Sequence, residues 1–243
     1  MSYRIGLDLG GTKVLGVVTD SDHKVIHRKK HRLSNRANIS AVMDQISNVY
    51  TALAEQVGDE KIDSVGIALP SPVDNELGHA KHLTAFQEKE LPVRDMLKER
   101  TGVDVKLGND VNMATLAEYK FGAGKGVSSL FTFYPGTGLG GGYIYKGKLV
   151  TGFNSTAAEV GHVVIDIDGP LCKCGRHGCL EAIVSYHGLK TMLGEKLAAG
   201  AVCHIDPSSF RATDIFDAWR KGDPVVSESV SYTHLTLPTS DLV

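Results

Sequence analysis

Residues 159–181 read EVGHVVIDIDGPLCKCGRHGCLE, and this stretch holds three of the four cysteines in the 243-residue chain. Three thiolates and one imidazole form the closed tetrahedral ligand set that structural Zn²⁺ prefers. The stretch therefore predicts a zinc knuckle whose ligands are His162, Cys172, Cys174 and Cys179. A metal that fixes this loop would also fix Glu159, His162 and Glu181 around a small space, which indicates a binding site held by a structural clip.

Two other interpretations of these residues stay open. His177 lies inside the knuckle and could replace His162 as the nitrogen ligand. The thiols could instead form a disulfide, although Cys172 and Cys174 are too close in sequence to pair easily and nothing indicates an oxidising compartment. Cys203 stands apart from the cluster, and we expect it to be an inert buried thiol.

The composition of the whole chain is that of an ordinary globular protein, because 42% of its residues are hydrophobic and 22% are charged. Its length suffices for one large domain or two modest ones. A formal net charge of -2 gives no reason to expect a nucleic-acid partner. The N-terminus has no signal-peptide pattern and no apolar run is long enough to span a bilayer, so we expect a cytoplasmic protein with no membrane partner.

The chain opens with a predicted β-hairpin, because residues 3–9 and 14–19 are strand-like and two glycines lie between them. The turn reads Asp8-Leu9-Gly10-Gly11-Thr12-Lys13. Its glycines expose backbone N–H groups, Thr12 adds a hydroxyl, Lys13 adds a cation, and Asp8 can hold a hydrated Mg²⁺. These features predict a phosphate cradle, although a Gly-Gly hairpin is more often only a turn.

Helical and strand-like segments then alternate, which predicts an α/β fold with parallel strands. The expected helices cover residues 38–57, 91–100 and 112–121, and the expected strands cover residues 25–32, 62–69 and 103–107, with a loop at 70–74. Asn109 and Asp110 follow a strand, at the sheet edge where ligands gather in open α/β proteins. Taken alone, this position favours Asp110 as the N-cap of the next helix. It could instead be a general base, with Asn109 orienting a hydroxyl for phosphoryl transfer, and the context decides between the two.

A second glycine-rich segment, PGTGLGGG at residues 135–142, lies between strands expected at 128–134 and 143–145. Gly136, Gly138 and Gly141 fit the G-x-G-x-x-G pattern of dinucleotide sites, but that pattern must open a helix and here a strand follows. We therefore expect a second hairpin that presents Thr137 to a phosphate. Two such hairpins would grip one nucleotide triphosphate across a cleft between two related domains.

Five ordered motifs make the chain similar to the ROK family of sugar kinases and sugar-responsive repressors. They are Asp8-x-Gly10-Gly11-Thr12-Lys13, Asn109-Asp110-Val111-Asn112, GTGLGGG at 136–142, EVGH at 159–162 and the cysteine knuckle that ends at Glu181. The resemblance runs from Ile5 to about Tyr186. It implies an actin-like, hexokinase-type (ribonuclease H-like) fold, in which two α/β domains enclose a central cleft that closes on sugar and MgATP.

The resemblance also implies an activity, the ATP-dependent phosphorylation of a hexose or N-acetylhexosamine, usually at O6. Asp110 would be the general base, and the sugar would be held by Asn109, Glu159, His162 and Glu181. The cofactor MgATP would be bound at Asp8, Gly10, Gly11, Thr12, Lys13, Gly136, Thr137 and Gly138, with residues 10–13 and Thr137 facing the phosphates. The implied cofactors are ATP, Mg²⁺ and structural Zn²⁺, and the implied assembly is a homodimer.

A non-catalytic sugar-binding regulator of the same family is the alternative. Sugar binding alone needs neither a general base nor a phosphate grip, so Asp110 and the two glycine-rich hairpins favour the kinase. The repressors of the family carry DNA-binding helices before the first strand, and this chain starts two residues before that strand.

Two regions depart from the family pattern. Ser71, Ser155 and Ala158 stand where family members commonly have Gly, and a side chain there narrows the expected sugar pocket. From Val230 onward the sequence reads as a translated library adapter, so we expect residues 230–243 to be a non-native tail. The predicted bounds are then 1–115 for an actin-like ATPase domain and 116–229 for an incomplete second domain. Because the family's further C-terminal elements are missing, we expect the chain to be inactive or unstable as it stands.

Overall fold

The structure is a computed structural model and describes residues 2–205 and 211–236. The strands, in chain order, are β1 (Ser2–Leu9), β2 (Lys13–Thr19), β3 (Val25–Arg32), β4 (Lys61–Leu69), β5 (Val73–Asp74), β6 (His79–Leu83), β7 (Glu88–Leu91), β8 (Val105–Asn109), β9 (Leu130–Pro135), β10 (Leu139–Tyr145) and β11 (Lys148–Leu149). The α-helices are α1 (Ile39–Ala54), α2 (Val93–Thr101), α3 (Asp110–Phe121), α4 (Leu180–Val184), α5 (Tyr186–Ala198), α6 (Ala212–Arg220) and α7 (Pro224–Thr236). Short 3₁₀ turns cover Thr84–Phe86 and Val160–His162.

The main sheet has five strands in the order β3-β2-β1-β4-β8. The first three strands form an antiparallel meander, whereas β1, β4 and β8 run parallel to one another. The register pairs Asp8 with Ala68, and Leu69 with Asn109. The ends of β1, β4 and β8 therefore meet at one edge of the sheet, and this edge carries both Asp8 and Asn109.

Helix α1 packs on the main sheet because its apolar residues recur at helical spacing. Its buried apolar residues are Val42, Met43, Ile46, Val49 and Leu53, and all belong to the same apolar core as the sheet strands. Gly16 of β2 is needed beneath the helix, since a Cβ there would lie 2.5 Å from Leu53 Cδ1. The Asn38 side chain begins the helix by accepting a hydrogen bond from the Ala41 N–H at 3.1 Å.

Two smaller sheets complete the strand architecture, with the orders β5-β6-β7 and β11-β10-β9. The described residues fall into two compact units, residues 2–130 with Tyr143–Ala157, and Phe131–Gly142 with residues 158–205 and 211–236. The second unit has two apolar clusters. One contains Leu139, Leu180, Ile183 and Val184, and the other contains Leu189, Leu193, Ile205, Ile215, Ala218, Val226 and Val230.

Most of the predicted elements are confirmed. The opening hairpin is β1–β2, the strands expected at 25–32 and 62–69 are β3 and β4, and the helices expected at 38–57 and 112–121 are α1 and α3. The helix expected at 91–100 starts two residues later, because Glu88–Leu91 forms β7 and Pro92 precedes the helix. The prediction of a loop over residues 70–74 is wrong in part, since Val73–Asp74 forms β5 and pairs with β6.

The second glycine-rich segment also differs from the expectation. Its last glycines lie inside β10, so the turn is confined to residues 136–138. The reason is close packing rather than turn chemistry. A Cβ on Gly141 would lie 2.5 Å from the Ala158 carbonyl oxygen, so this strand position has no room for a side chain.

The C-terminal part bears on the expected non-native tail. Val230 lies in α7 and is buried in the cluster formed with α5 and α6, while residues 237–243 lie outside the described part of the chain. The predicted domain bounds stay a prediction.

Among residues 2–205 and 211–236, no helix combines the length and the apolar character that a membrane span requires.

Candidate active site and metal site

The candidate general base lies at the first turn of α3. Asn109 is the N-cap residue, because its side-chain oxygen accepts a hydrogen bond from the Asn112 N–H at 3.0 Å. Asp110 is the first helical residue, so the interpretation of Asp110 as the N-cap is wrong. The Asn109 amide instead donates to Asp110 Oδ1 at 3.0 Å, and the Val111 N–H donates to the same oxygen at 2.8 Å. The carboxylate is thus held in place by its two neighbours.

The electrostatics of this sheet edge favour a protonatable carboxyl group. Burial raises the pKa of Asp110 above its usual value, and the negative charge of Asp8 raises it further, against hydrogen bonds that lower it. Burial also raises the pKa of Asp8, while the Lys13 ammonium lowers it. Carboxyl groups with raised pKa values at such an edge are candidates for proton transfer or cation binding.

Ser71 supports Asn109 from the loop after β4. Ser71 is buried, and its carbonyl oxygen accepts a 3.4 Å hydrogen bond from the Asn109 amide. Its hydroxyl accepts a hydrogen bond from the His82 N–H at 2.8 Å and donates to the Pro72 carbonyl at 2.7 Å. In the sequence, Ser71 stands out only as a departure from Gly, whereas in the structure its side chain joins the loop to β6.

The first glycine-rich hairpin is a closed turn with exposed side chains. The Gly10 N–H donates to the Lys13 carbonyl at 2.8 Å, and Thr12 and Lys13 are exposed at its tip. Arg36 adds a second cation that the sequence analysis missed, because its guanidinium donates to the Gly11 carbonyl at 2.6 Å. The hairpin and Arg36 together therefore present two positive charges and a hydroxyl, which suits a phosphate group.

The zinc-knuckle residues come together as the sequence predicts. The ligand atoms of His162, Cys172, Cys174 and Cys179 lie within 4.8 Å of one another, and all four cysteines of the chain are free thiols. Cys172 Sγ lies 3.7 Å from His162 Nδ1, and Cys174 Sγ lies 3.6 Å from Cys179 Sγ. These separations fit a tetrahedral zinc site, since a Zn–S bond of about 2.3 Å puts neighbouring sulfurs about 3.8 Å apart.

The other histidine of the knuckle lies elsewhere. His177 Nδ1 is 3.0 Å from the Gly169 carbonyl oxygen, and the cluster of ligand atoms contains His162. Arg176, which the sequence analysis also missed, contacts the cluster. Hydrogen bonds from its backbone N–H and guanidinium lower the pKa of the Cys174 thiol to about 6. A thiolate at neutral pH is the form that ligates metal.

Cys203 is only partly buried, which corrects the expectation of a buried thiol, and its sulfur accepts a hydrogen bond from the Ile205 N–H at 3.2 Å. It is not part of the metal cluster among the described residues.

Glu181 links the knuckle to the second glycine-rich hairpin. It lies in the first turn of α4, two residues after Cys179. Its Oε2 accepts a hydrogen bond from the Leu139 N–H at 2.8 Å, and its Oε1 lies 3.9 Å from Cys172 Sγ. Glu159, by contrast, is exposed and directly precedes the 3₁₀ turn that carries His162.

The structure thus assembles the predicted site residues in two groups, each within one compact unit. The first group is Asp8, Gly10, Gly11, Thr12, Lys13, Asn109 and Asp110. The second group is Gly136, Thr137, Gly138, Glu159, His162, Cys172, Cys174, Cys179 and Glu181. The roles assigned to them in sugar and nucleotide binding stay predictions.

The sequence matches the profile of the ROK family over residues 4–240. The chain belongs to the ROK family. The match extends beyond Tyr186 and includes residues 230–240, which we expected to fall outside the family. Among ROK relatives, a glucokinase of Thermotoga maritima is 36% identical over 225 residues, which cover 90% of this chain and 70% of that protein.

ROK proteins of known structure share the fold. The crystal structure of a ROK family glucokinase from Streptomyces griseus, in complex with glucose and AMPPNP, matches 95% of this chain and 75% of that chain, with a TM-score of 0.79 and 29% identity. The predicted α/β, hexokinase-type fold is therefore confirmed. The chain is also 24% identical to the DNA-binding transcriptional repressor Mlc of Escherichia coli over 231 residues, which cover 94% of this chain and 57% of that protein.

Proposed function

We propose that this protein is an ATP-dependent sugar kinase that phosphorylates a hexose or N-acetylhexosamine at O6. The observation that carries the proposal is the Asp110 carboxylate. It does not cap its helix, it is held by Asn109 and the Val111 N–H, and burial raises its pKa. Similarity to the Thermotoga maritima and Streptomyces griseus glucokinases supports the same conclusion.

In the proposed reaction, the sugar hydroxyl oxygen attacks the γ-phosphorus of ATP. The bond between that phosphorus and the bridging oxygen breaks, so that ADP leaves, and Asp110 accepts the hydroxyl proton. A raised pKa makes Asp110 a better proton acceptor at neutral pH than an ordinary surface aspartate. The remaining sugar hydroxyls would be held by Asn109, Glu159, His162 and Glu181.

The nucleotide phosphates would bind at the two glycine-rich hairpins, residues 10–13 and 136–138. Bound Mg²⁺ would supply positive charge against the transferring phosphoryl group. Asp8 is placed to bind that ion, because its negative charge lies at the same sheet edge as Asp110 and raises the pKa of Asp110. The Lys13 ammonium favours the ionised form of Asp8. The cysteine cluster would hold Zn²⁺ as a structural ion that fixes the loop carrying the sugar ligands.

The proposal is tested by measuring ADP release with MgATP against a panel of glucose, fructose, mannose, N-acetylglucosamine and N-acetylmannosamine. The assay uses the 243-residue chain and a second form in which the C-terminal part of the Thermotoga maritima glucokinase replaces residues 230–243. We expect turnover on one sugar in at least the second form, and its loss in the Asp110→Asn variant. Lack of turnover in both forms, with sugar binding retained, would overturn the kinase proposal.

That second outcome corresponds to the alternative, a sugar-binding regulator without catalysis. Similarity to the repressor Mlc is the observation that favours it. Nucleotide binding separates the two functions, because only the kinase requires a phosphate grip. A protein that binds sugar with unchanged affinity in the presence and absence of MgATP analogues, and never binds those analogues, would be a regulator.

A further inference from the structure

The two carboxylate oxygens of Glu181 contact different parts of the unit, the second glycine-rich hairpin and the cysteine cluster. The Leu139 N–H, at the end of the second glycine-rich hairpin, donates to Oε2 at 2.8 Å, a length typical of charge-assisted hydrogen bonds. Its other oxygen lies 3.9 Å from the sulfur of Cys172 in the metal cluster. One side chain therefore touches both the hairpin and a metal ligand.

The hairpin depends on this side of the unit for its conformation. Glycine-rich segments have many backbone conformations, so a defined turn needs external hydrogen bonds. The start of α5 supplies two of them, because the Tyr186 and His187 N–H groups donate to the carbonyls of Gly136 and Thr137 at 2.9 and 3.4 Å. Glu181 supplies the third, at the end of the turn.

Two glycines keep space for this arrangement. A Cβ on Gly138 would lie 2.4 Å from Glu181 Oε2, so the absence of a side chain there admits the carboxylate. A Cβ on Gly161 would lie 2.2 Å from the Leu139 carbonyl oxygen and 3.3 Å from Glu181 Cβ. Each glycine thus has a packing reason that involves Glu181, Leu139 or both.

The other side of Glu181 is fixed by the cysteine cluster. Cys179 is the N-cap residue of α4, and Glu181 follows in its first turn. The Leu180 N–H donates to the Val163 carbonyl at 2.9 Å, which joins the helix start to the residue after His162. An ion held by these ligands would therefore fix the backbone that carries Glu181, and so the position from which its carboxylate reaches Leu139, whereas the ligating Cys172 thiolate would have no proton to donate to that carboxylate.

We propose that Glu181 is a positioning residue that couples the metal cluster to the phosphate-facing hairpin, so that nucleotide affinity depends on the zinc ligands through Glu181. This inference rests on the proposed function, because it requires the hairpin to bind nucleotide phosphates. It goes beyond the role implied by family resemblance, in which Glu181 holds the sugar. A sugar ligand alone would leave nucleotide binding unchanged when sugar is absent.

The test measures the affinity of a Mg²⁺ complex of a non-hydrolysable ATP analogue in the absence of sugar. Zinc-loaded and zinc-free proteins are compared. The zinc-free protein is prepared by dialysis against a chelator, and Mg²⁺ is added only after the chelator has been removed. For the zinc-loaded protein, we expect Glu181→Ala to weaken analogue binding about tenfold and Glu181→Gln to restore most of it, since an amide oxygen can still accept the Leu139 N–H. Glu195→Ala, which removes an exposed carboxylate from α5 of the same unit, is the matched control and should leave the affinity unchanged.

Coupling adds a further requirement. Zinc removal should weaken analogue binding by the wild-type protein about tenfold and should have little additional effect in Glu181→Ala, because both changes act through one link. Hydrogen exchange supplies a readout independent of nucleotide, since the Leu139 amide should lose protection in Glu181→Ala and in the zinc-free wild type.

Different failures give different results. Unchanged analogue affinity in Glu181→Ala, or unchanged protection of the Leu139 amide, would overturn the positioning role while leaving the kinase proposal intact. Additive effects of zinc removal and Glu181→Ala would overturn the coupling. A wild-type protein that binds no analogue, with or without zinc, would overturn both the proposed function and this inference.

Discussion

The Asn109 side chain donates a 3.0 Å hydrogen bond to the carboxylate of Asp110, its neighbour in the chain. Its oxygen simultaneously accepts the Asn112 N–H and begins helix α3. Asn109 therefore has two roles that the sequence alone did not separate. It caps the helix, and it orients the candidate base. Asp110 therefore has no capping role, as the proposed general base requires.

We expect Asn109→Ala to separate these tasks when it is compared with Asn38→Ala. Both residues cap a helix through a side-chain oxygen, so each change should cost about 1 kcal/mol and lower the melting temperature by about 2–4 °C. Only Asn109→Ala should also lower kcat, by about 100-fold, because the base loses its orientation. Melting curves and ADP-release kinetics on both variants check this, and equal kcat values for the two would contradict it.

The raised pKa of Asp110 predicts a pH-dependent stability. The folded state disfavours the ionised carboxyl group, so its contribution to stability is present at low pH and is lost as the pH rises through the raised pKa. Asp110→Asn keeps an oxygen acceptor and removes the charge. This variant should therefore melt at a higher temperature than the wild type at pH 7–8, and the difference should vanish below about pH 4, near the ordinary pKa of aspartate. A melting difference that is independent of pH between 4 and 8 would show that burial of this charge has no influence on folding.

The same ionisation predicts the pH dependence of catalysis. A general base must be deprotonated to accept the hydroxyl proton, so kcat/KM should fall as the pH drops through the raised pKa of Asp110. Asp8→Asn removes the negative charge that raises this pKa and should move the acidic limb of the profile to lower pH. Profiles at saturating Mg²⁺ measure this, and a limb that stays in place would assign the pKa to another group.

The fold was predictable where a single period dominated the sequence. Helix α1 and strands β1, β2 and β4 follow their apolar patterns closely, because each buries one face on a common core. The two-residue strand β5 and the glycine-rich start of β10 carry no such pattern. Their pairing is decided by neighbouring strands and, at Gly141, by the approach of the Ala158 carbonyl, which is a tertiary contact.

The candidate site shows the same division. Cysteine spacing predicted the metal cluster, since ligand chemistry constrains both residue type and distance. The roles of Ser71 and Arg36 escaped prediction, because the Ser71 hydroxyl accepts from the His82 N–H and the Arg36 guanidinium donates to the Gly11 carbonyl, and neither partner is near in the sequence. Arg176 is different, since a cation within the knuckle is a signal that could have been used.

Loss of one metal ligand should destabilise the second unit. Cys172→Ser removes a buried thiolate donor from the cluster, whereas Cys203→Ser changes a thiol outside it and serves as the control. We expect Cys172→Ser to lower zinc affinity more than about 100-fold, to increase hydrogen exchange over residues 163–179 and to weaken sugar binding. Zinc content by mass spectrometry and exchange on the purified protein check this. One equivalent of tightly bound zinc in Cys172→Ser would show that the cluster is not the zinc site.

Ala158 directly precedes Glu159 and has a φ of 62°, a left-handed conformation that costs an L-residue with a side chain about 1–2 kcal/mol. Its carbonyl nevertheless accepts the Val160 N–H at 2.7 Å, so the turn that presents Glu159 and His162 requires this conformation. Ala158→Gly should relieve the strain and raise the free energy of unfolding by about 0.5–1 kcal/mol, after the greater flexibility of glycine in the unfolded chain is subtracted. Ala157→Gly is the matched control, since φ of Ala157 is not positive and glycine there should only destabilise. Denaturant unfolding of both variants decides the point. An equal loss of stability in both variants would show that the Ala158 backbone carries no strain. Ala158→Gly could then affect only which sugar binds, through the space that it opens.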